Sequence, residues 1–168
     1  DFILSALEQF PALKPLTLFL KFFLVSRELN ETYTGGVGSY LLQLMIISYF
    51  QMNPARSLDL SLGSLLLGFF ELYGKHFNYE TVGINVTGHG SYYLKRQSNF
   101  YNPERPYLLS VQNPLDEFHD VGSNSWAIVK IRKAFQWAAF TLTNSSVLNS
   151  NWEENGDSLI SRLLFIDE

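Results

Sequence analysis

A mainly α-helical domain with one small β-hairpin is the fold class this sequence predicts. Long apolar stretches recur at helical spacing, whereas a single segment, 82–93, alternates apolar and polar residues instead. Gly and Pro collect between these stretches without a short fixed period, which argues against a solenoid or a propeller. At 168 residues, 46% of them hydrophobic and 15% aromatic, the chain can bury one substantial core, so a single domain over 1–168 is expected.

The first helix is read over residues 2–10 and stops before Pro11, because the residue ahead of a proline is pushed out of the helical region. A second helix is read over 15–29, with Pro15 at its first position. Leu16, Leu18, Phe19, Leu20, Phe22, Phe23 and Leu24 cover most of its surface, so it should be mostly buried. Residues 30–38, with Gly35, Gly36 and Gly38, form a tight loop. The next helix, 39–51, is apolar nearly all round and ends before Asn53 and Pro54, which places it at the centre of the core. After a polar connector at 55–59, a helix over 60–73 sets Leu62, Leu65, Leu66, Phe69, Phe70 and Tyr73 at helical spacing, with Gly74 as its C-terminal cap. In the hairpin, Val82, Ile84 and Val86 alternate, Gly88-His89-Gly90 turns, and Tyr92 and Tyr93 return. Residues 97–106 read as surface loop, 107–111 as a short extended piece and 113–124 as an irregular segment. Helix returns over 125–142 and again over 157–165, with a polar loop at 144–155 between them.

Composition excludes several chemistries. There is no cysteine, hence no disulfide and no thiolate zinc site, and three scattered histidines do not make a metal cage. A net charge of −4 gives no electrostatic footprint for duplex nucleic acid, so any RNA contact must be local. The apolar runs at 16–25 and 40–50 fall short of the ~20 residues of a membrane span, and no membrane association is expected. The chain opens on Asp1 without a leader pattern, like an excised domain. Sequons begin at Asn30, Asn85 and Asn144, but such triplets arise readily by chance.

Three stretches resemble a known family in the same order and at similar spacing. PALKPL at 11–16, LKFFL at 20–24, RELNE at 27–31 and YTGGVGSY at 33–40 resemble the segment that follows the catalytic palm in non-canonical poly(A) polymerases and terminal uridylyltransferases. LGSLLLGFFELYG at 62–74 resembles the family's long helix ending in Phe-Phe-x-x-Tyr-Gly, and VQNPLDEFHDVG at 111–122 resembles its nucleotide recognition loop. The resemblance implies a helical central domain of a template-independent RNA 3′-end adenylyltransferase, binding nucleotide in a cleft against a palm supplied upstream in cis. Terminal uridylyl transfer is the alternative, and a degenerate scaffold domain is a third. The palm's paired carboxylates are not here, since no two acidic residues are spaced two apart. Mg2+ or Mn2+ is therefore expected on the palm, with ATP, or UTP, as nucleotide, and the fragment alone should be inactive. By the same resemblance, the RNA 3′ end, zinc-knuckle RNA-binding proteins and a helicase are expected partners, and the nucleus an expected location.

Six residues are expected to bind nucleotide. Lys21 lies within an otherwise apolar helix, where its ammonium needs either solvent reached by snorkelling or an anion; the resemblance implies the triphosphate. A second family lysine is replaced by Val25. Ser39 opens a buried helix after a Gly-rich loop, a place that suits either a cap or a phosphate. Tyr40 is either a core tyrosine or, by resemblance, the ring on which the base stacks. By the resemblance, Asn113, Asp116 and His119 match positions that read the base edge; Asn113 stands for the usual Asp, and His119 occupies a position that is commonly Asn in adenylating members and His in uridylating ones. Ser123 and Asn124 replace a frequent Arg-Gly pair. Read without the family, Asp116, His119 and Asp120 would be a weak metal candidate.

Overall fold

The structure, a computed structural model, describes residues 1–58, 61–148 and 163–164. Among these, five α-helices surround a core and a four-stranded sheet lies along one side, in the order α1 (Phe2–Gln9), α2 (Leu13–Val25), α3 (Ser39–Met52), α4 (Leu62–Glu71), β1 (Val82–Asn85), β2 (Ser91–Leu94), β3 (Val111–Asn113), β4 (Asp116–Asp120) and α5 (Ile128–Leu148). The mainly helical class and the 82–93 hairpin are thus found as expected. No helix among the described residues is long and apolar enough to cross a membrane.

α1 starts where the Asp1 side chain accepts from the Ile3 amide at 3.1 Å and ends at Phe10, in extended conformation before Pro11. α2 differs from expectation at both ends. It begins at Leu13, so Pro15 occupies its third position, and it stops at Val25 rather than 29. The stop is a pair of backbone bonds, Glu28 N to Val25 O and Leu29 N to Leu24 O, closed around Glu28 at φ 56. This is the Schellman pattern, here with a non-glycine residue in the left-handed region. Arg27 fastens it, donating to the Phe23 carbonyl at 3.1 Å while its guanidinium lies 3.7 Å from the Phe23 ring centroid.

α3 is the central helix: Leu41, Leu42 and every residue from 44 to 50 are buried. Around it Phe23, Phe69, Phe70 and Phe135 form an aromatic cluster with ring centroids 5.1–6.0 Å apart. Such pairs add ~0.5–1.5 kcal/mol each beyond the area they bury. Buried hydroxyls tie the helices to one another: Tyr73 Oη donates to the Met45 carbonyl at 2.6 Å and Tyr79 Oη to the Tyr73 carbonyl at 2.6 Å.

Ser61 caps α4 by accepting from the Ser64 amide at 3.3 Å, one residue after the expected start. Gly74 is not the cap that the sequence suggested. The helix widens into a π-turn over Leu72–His76, closed by Phe77 N to Leu72 O, and a Cβ on Gly74 would come within 2.9 Å of the Gln136 amide nitrogen. That glycine serves close approach to α5.

The sheet is larger than the single hairpin expected, with order β2-β1-β3-β4. β1 and β2 are antiparallel, β3 runs parallel to β1 through Ile84–Val111, and β4 returns antiparallel with a register shift between Gln112 and Asn113. The segment read as irregular is therefore a second hairpin. Its outer strand exposes Asp116, Glu117, Phe118 and His119 and buries only Asp120, so it lacks the apolar alternation by which a strand is recognised. α5 starts at Ile128, because Ser125 is spent in a buried turn, and it continues to Leu148 through residues expected to be loop. The rest of that loop lies outside the described residues, as does the 157–165 helix apart from helical Leu163 and Leu164.

Candidate functional site

Tyr40 and Asn113, 73 residues apart, meet where the start of α3 faces the end of β3. The Tyr40 hydroxyl lies 2.9 Å from Asn113 Oδ1. The Gly-rich loop positions Tyr40. Gly35 is left-handed at φ 78, and a Cβ there would collide with the Trp126 indole. The Gly35 carbonyl accepts from the Ala127 amide at 3.0 Å, and Asn124 Nδ2 donates to the Thr32 carbonyl. The loop before α3 is thereby fastened to the loop after β4. Partial burial pushes the Tyr40 phenol pKa up, so the group is a neutral hydroxyl at physiological pH.

Asn113 is the node of the second hairpin. Its Oδ1 also accepts from the Leu115 amide at 3.0 Å, the turn geometry typical of Asn ahead of a proline, while its Nδ2 lies 3.2 Å from His119 Nδ1. Asp116, paired with Asn113 in register, accepts from the Phe118 amide at 3.1 Å. Asp116 and His119 are both exposed.

Beneath this hairpin lies a polar cluster that sequence reasoning did not find. Asp120 is buried and accepts from the Val111 and Gly122 amides, each at 2.8 Å, and from Ser110 Oγ at 3.0 Å. Burial raises its pKa; the two amides, Ser110 and the Lys95 charge partly offset that. Lys95, also buried, donates to the carbonyls of Tyr79 (2.6 Å), Pro106 (2.6 Å) and Leu108 (2.8 Å), satisfying all three of its ammonium hydrogens. Desolvation lowers its pKa, with Asp120 and Glu80 opposing. One signal was available: Lys95 continues the strand parity of Tyr93, and Tyr93 Oη lies 2.6 Å from Ser110 Oγ beside Asp120. Asp120 is thus an anchor inside the fold. Among the described residues, no three His, Asp or Glu side chains converge to hold a metal ion.

Ser39 is the first residue of α3, not its cap; Gly38 takes the cap position, where no side chain bonds, and Ser39 is exposed. Lys21 is exposed as well. Its helix was expected to be mostly buried, yet Leu18, Phe22 and Val25 are 60%, 58% and 44% exposed along one side, and Lys21 lies among them. Lys21 is therefore a charge on an uncovered apolar stripe rather than inside the core. Described hydrogen bonds join Tyr40, Asn113 and His119 and set Asp116 opposite; they do not reach Lys21 or Ser39.

Comparison with known proteins gives this geometry a context. Residues 61–119 match the family model described as Cid1 family poly A polymerase. The poly(A) RNA polymerase cid14 of Schizosaccharomyces pombe is 36% identical over 96% of this chain, and the chain spans 26% of that protein. The inactive non-canonical poly(A) RNA polymerase protein Trf4-2 of Drosophila melanogaster is 32% identical over 80% of the chain, which spans 35% of its length. Among solved structures, the polymerase core of TRAMP, an RNA surveillance complex, superposes with a TM-score of 0.86 at 32% identity, over 98% of this chain and 54% of that one.

Proposed function

This chain belongs to the non-canonical poly(A) polymerase family, whose associated domain it carries across residues 61–119, and on that premise we propose that it is the nucleotide- and RNA-end-binding half of a template-independent RNA 3′-end adenylyltransferase. The catalytic palm belongs to the same protein in cis and carries the Mg2+ or Mn2+. The observation that carries the reading is the Tyr40–Asn113 bond at 2.9 Å, which holds an aromatic ring and a loop rich in hydrogen-bonding groups at one place. A base needs both: a π face to stack on and polar groups at its edge.

In this reading Tyr40 stacks the incoming base, Asn113, Asp116 and His119 face its edge, and Ser39 with the first amides of α3 faces the triphosphate, favoured by the helix dipole. Lys21 supplies its ammonium to the same phosphates from the exposed side of α2. RNA surveillance in the nucleus, with zinc-knuckle and helicase partners, is the setting proposed. One observation favours uridylyl transfer as a second reading: an imidazole, and not an amide, stands at His119.

The test is extension of a short RNA by the full-length protein with Mg2+ or Mn2+ and ATP, with UTP in parallel. Adenylate addition supports the main reading and uridylate addition the second. No addition with either nucleotide, from protein that is folded, leaves a scaffold domain and overturns both.

A further inference from the structure

We propose that Asn113 is a positioning residue that fixes the tautomer of His119, making the outer nitrogen of that ring a hydrogen-bond donor, so that the nucleotide atom meeting it must be an acceptor. The nucleotide part of the proposal rests on the cleft being a nucleotide site; the tautomer part does not.

The Leu115 N–H can only donate, and its partner 3.0 Å away is one end of the Asn113 amide. That end is therefore the oxygen. A side-chain amide seen by itself can be flipped, but an amide facing a backbone N–H cannot. Tyr40 Oη, on the same oxygen at 2.9 Å, must then donate. With Oδ1 so occupied, Nδ2 is the group that lies 3.2 Å from His119 Nδ1. An amide NH2 has hydrogens and no lone pair to offer, so Nδ1 must accept, and the neutral ring carries its proton on Nε2. Nε2 is the nitrogen left free for a ligand, on a side chain that is exposed.

The consequence is a fixed polarity. An Nε2–H donor can meet O4 of uracil, whereas the N4 amino group of cytosine presents a second donor in the same place. UTP and CTP are matched in size, so this pair isolates polarity from shape. Asp in place of Asn113 inverts the arrangement without changing its outline. One carboxylate oxygen keeps the Leu115 and Tyr40 bonds, and the other has no hydrogen to give, so Nδ1 of His119 must carry one.

The experiment uses full-length protein labelled with 15N-histidine, the His119 signals being identified by their loss in His119→Asn. Two-bond 15N–1H spectra are recorded at about pH 8.5, where an ordinary imidazole is neutral. The expected result is an unprotonated Nδ1 in the wild type and a protonated Nδ1 in Asn113→Asp. A protonated Nδ1 in the wild type, or the same state in both proteins, overturns the proposal. In parallel, RNA extension at the same pH should favour UTP over CTP by about tenfold in the wild type, the scale of one neutral hydrogen bond, and lose that preference in Asn113→Asp. A tautomer that inverts while the UTP-to-CTP ratio stays near one would overturn the nucleotide contact. Failure of the proposed function would look different: no extension with any nucleotide, whatever the ring spectrum shows.

Discussion

Tyr40 Oη and Asn113 Oδ1, 2.9 Å apart, join the first turn of the central helix to the outer hairpin of the sheet. Two variants separate what the ring does from what the hydroxyl does. Tyr40→Phe removes the bond alone and should lower stability by about 0.5–1.5 kcal/mol while raising the KM for nucleotide less than tenfold. Tyr40→Ala also removes the stacking surface, about 1–3 kcal/mol per base, and should raise KM by about ten- to hundredfold. Denaturant melts and initial rates on the full-length protein check both; equal KM values for the two variants would remove the ring from base stacking.

Lys21→Ala should weaken nucleotide binding without weakening the fold. The side chain is exposed, and exposed substitutions stay within about 0.5 kcal/mol of wild-type stability. A charge-assisted phosphate contact is worth about 1.5–3 kcal/mol, a loss of roughly ten- to hundredfold in affinity. Affinity and Tm measured on the same preparation decide the matter. Unchanged affinity would return Lys21 to the role of a solvated side chain.

Asp120 gives the domain a pH dependence of known sign. Its folded-state pKa is raised above the ordinary 3.8, so in the window just above 3.8 the folded state holds more protons than the unfolded one. Stability from this group is therefore present at lower pH and lost as pH rises through the folded pKa. Asp120→Asn removes that slope. Its Oδ1 can keep the Val111 and Gly122 amides, and its Nδ2 can donate to Ser110 Oγ. Urea midpoints at pH 4 and pH 7 should show the variant gaining on the wild type at the higher pH. A constant difference would contradict the raised pKa.

Gly35→Ala should cost more than 1 kcal/mol, because φ 78 is unfavourable for any side chain and the new Cβ meets the Trp126 indole. Its effect should spread to nucleotide binding, since this glycine loop sets the start of α3. A thermal melt together with the KM for ATP checks both parts. Wild-type values for both would show that the Gly35–Trp126 contact does not position the site.

How much of this was legible in the sequence depended on where apolar periodicity was the deciding force. α1, α3, α4 and the first hairpin follow it, and their bounds fall within a residue or two of those read from the sequence. The end of α2 does not, because Glu28 in a left-handed turn carries no glycine signal. β4 was missed because four of its five residues face solvent. At the site, the family resemblance pointed to Tyr40, Asn113 and His119, whereas residue type alone left Tyr40 as a core tyrosine and the loop as solvated; their hydrogen bonding is tertiary and has no trace in spacing. Lys95 and Asp120 are the sharper lesson: a charged side chain reads as surface until three carbonyls, or two amides and a hydroxyl, are found around it.

Whether the Tyr40–Asn113–His119 cluster faces the base of an incoming nucleotide is decided by the ratio of ATP to UTP incorporated on a short RNA. The measurement compares full-length wild-type protein with His119→Asn. An imidazole donor favours an acceptor at the pyrimidine edge and crowds a purine more than an amide does. The substitution should move the ratio toward ATP by about tenfold. A ratio that does not move, in a variant that still extends RNA, would contradict it.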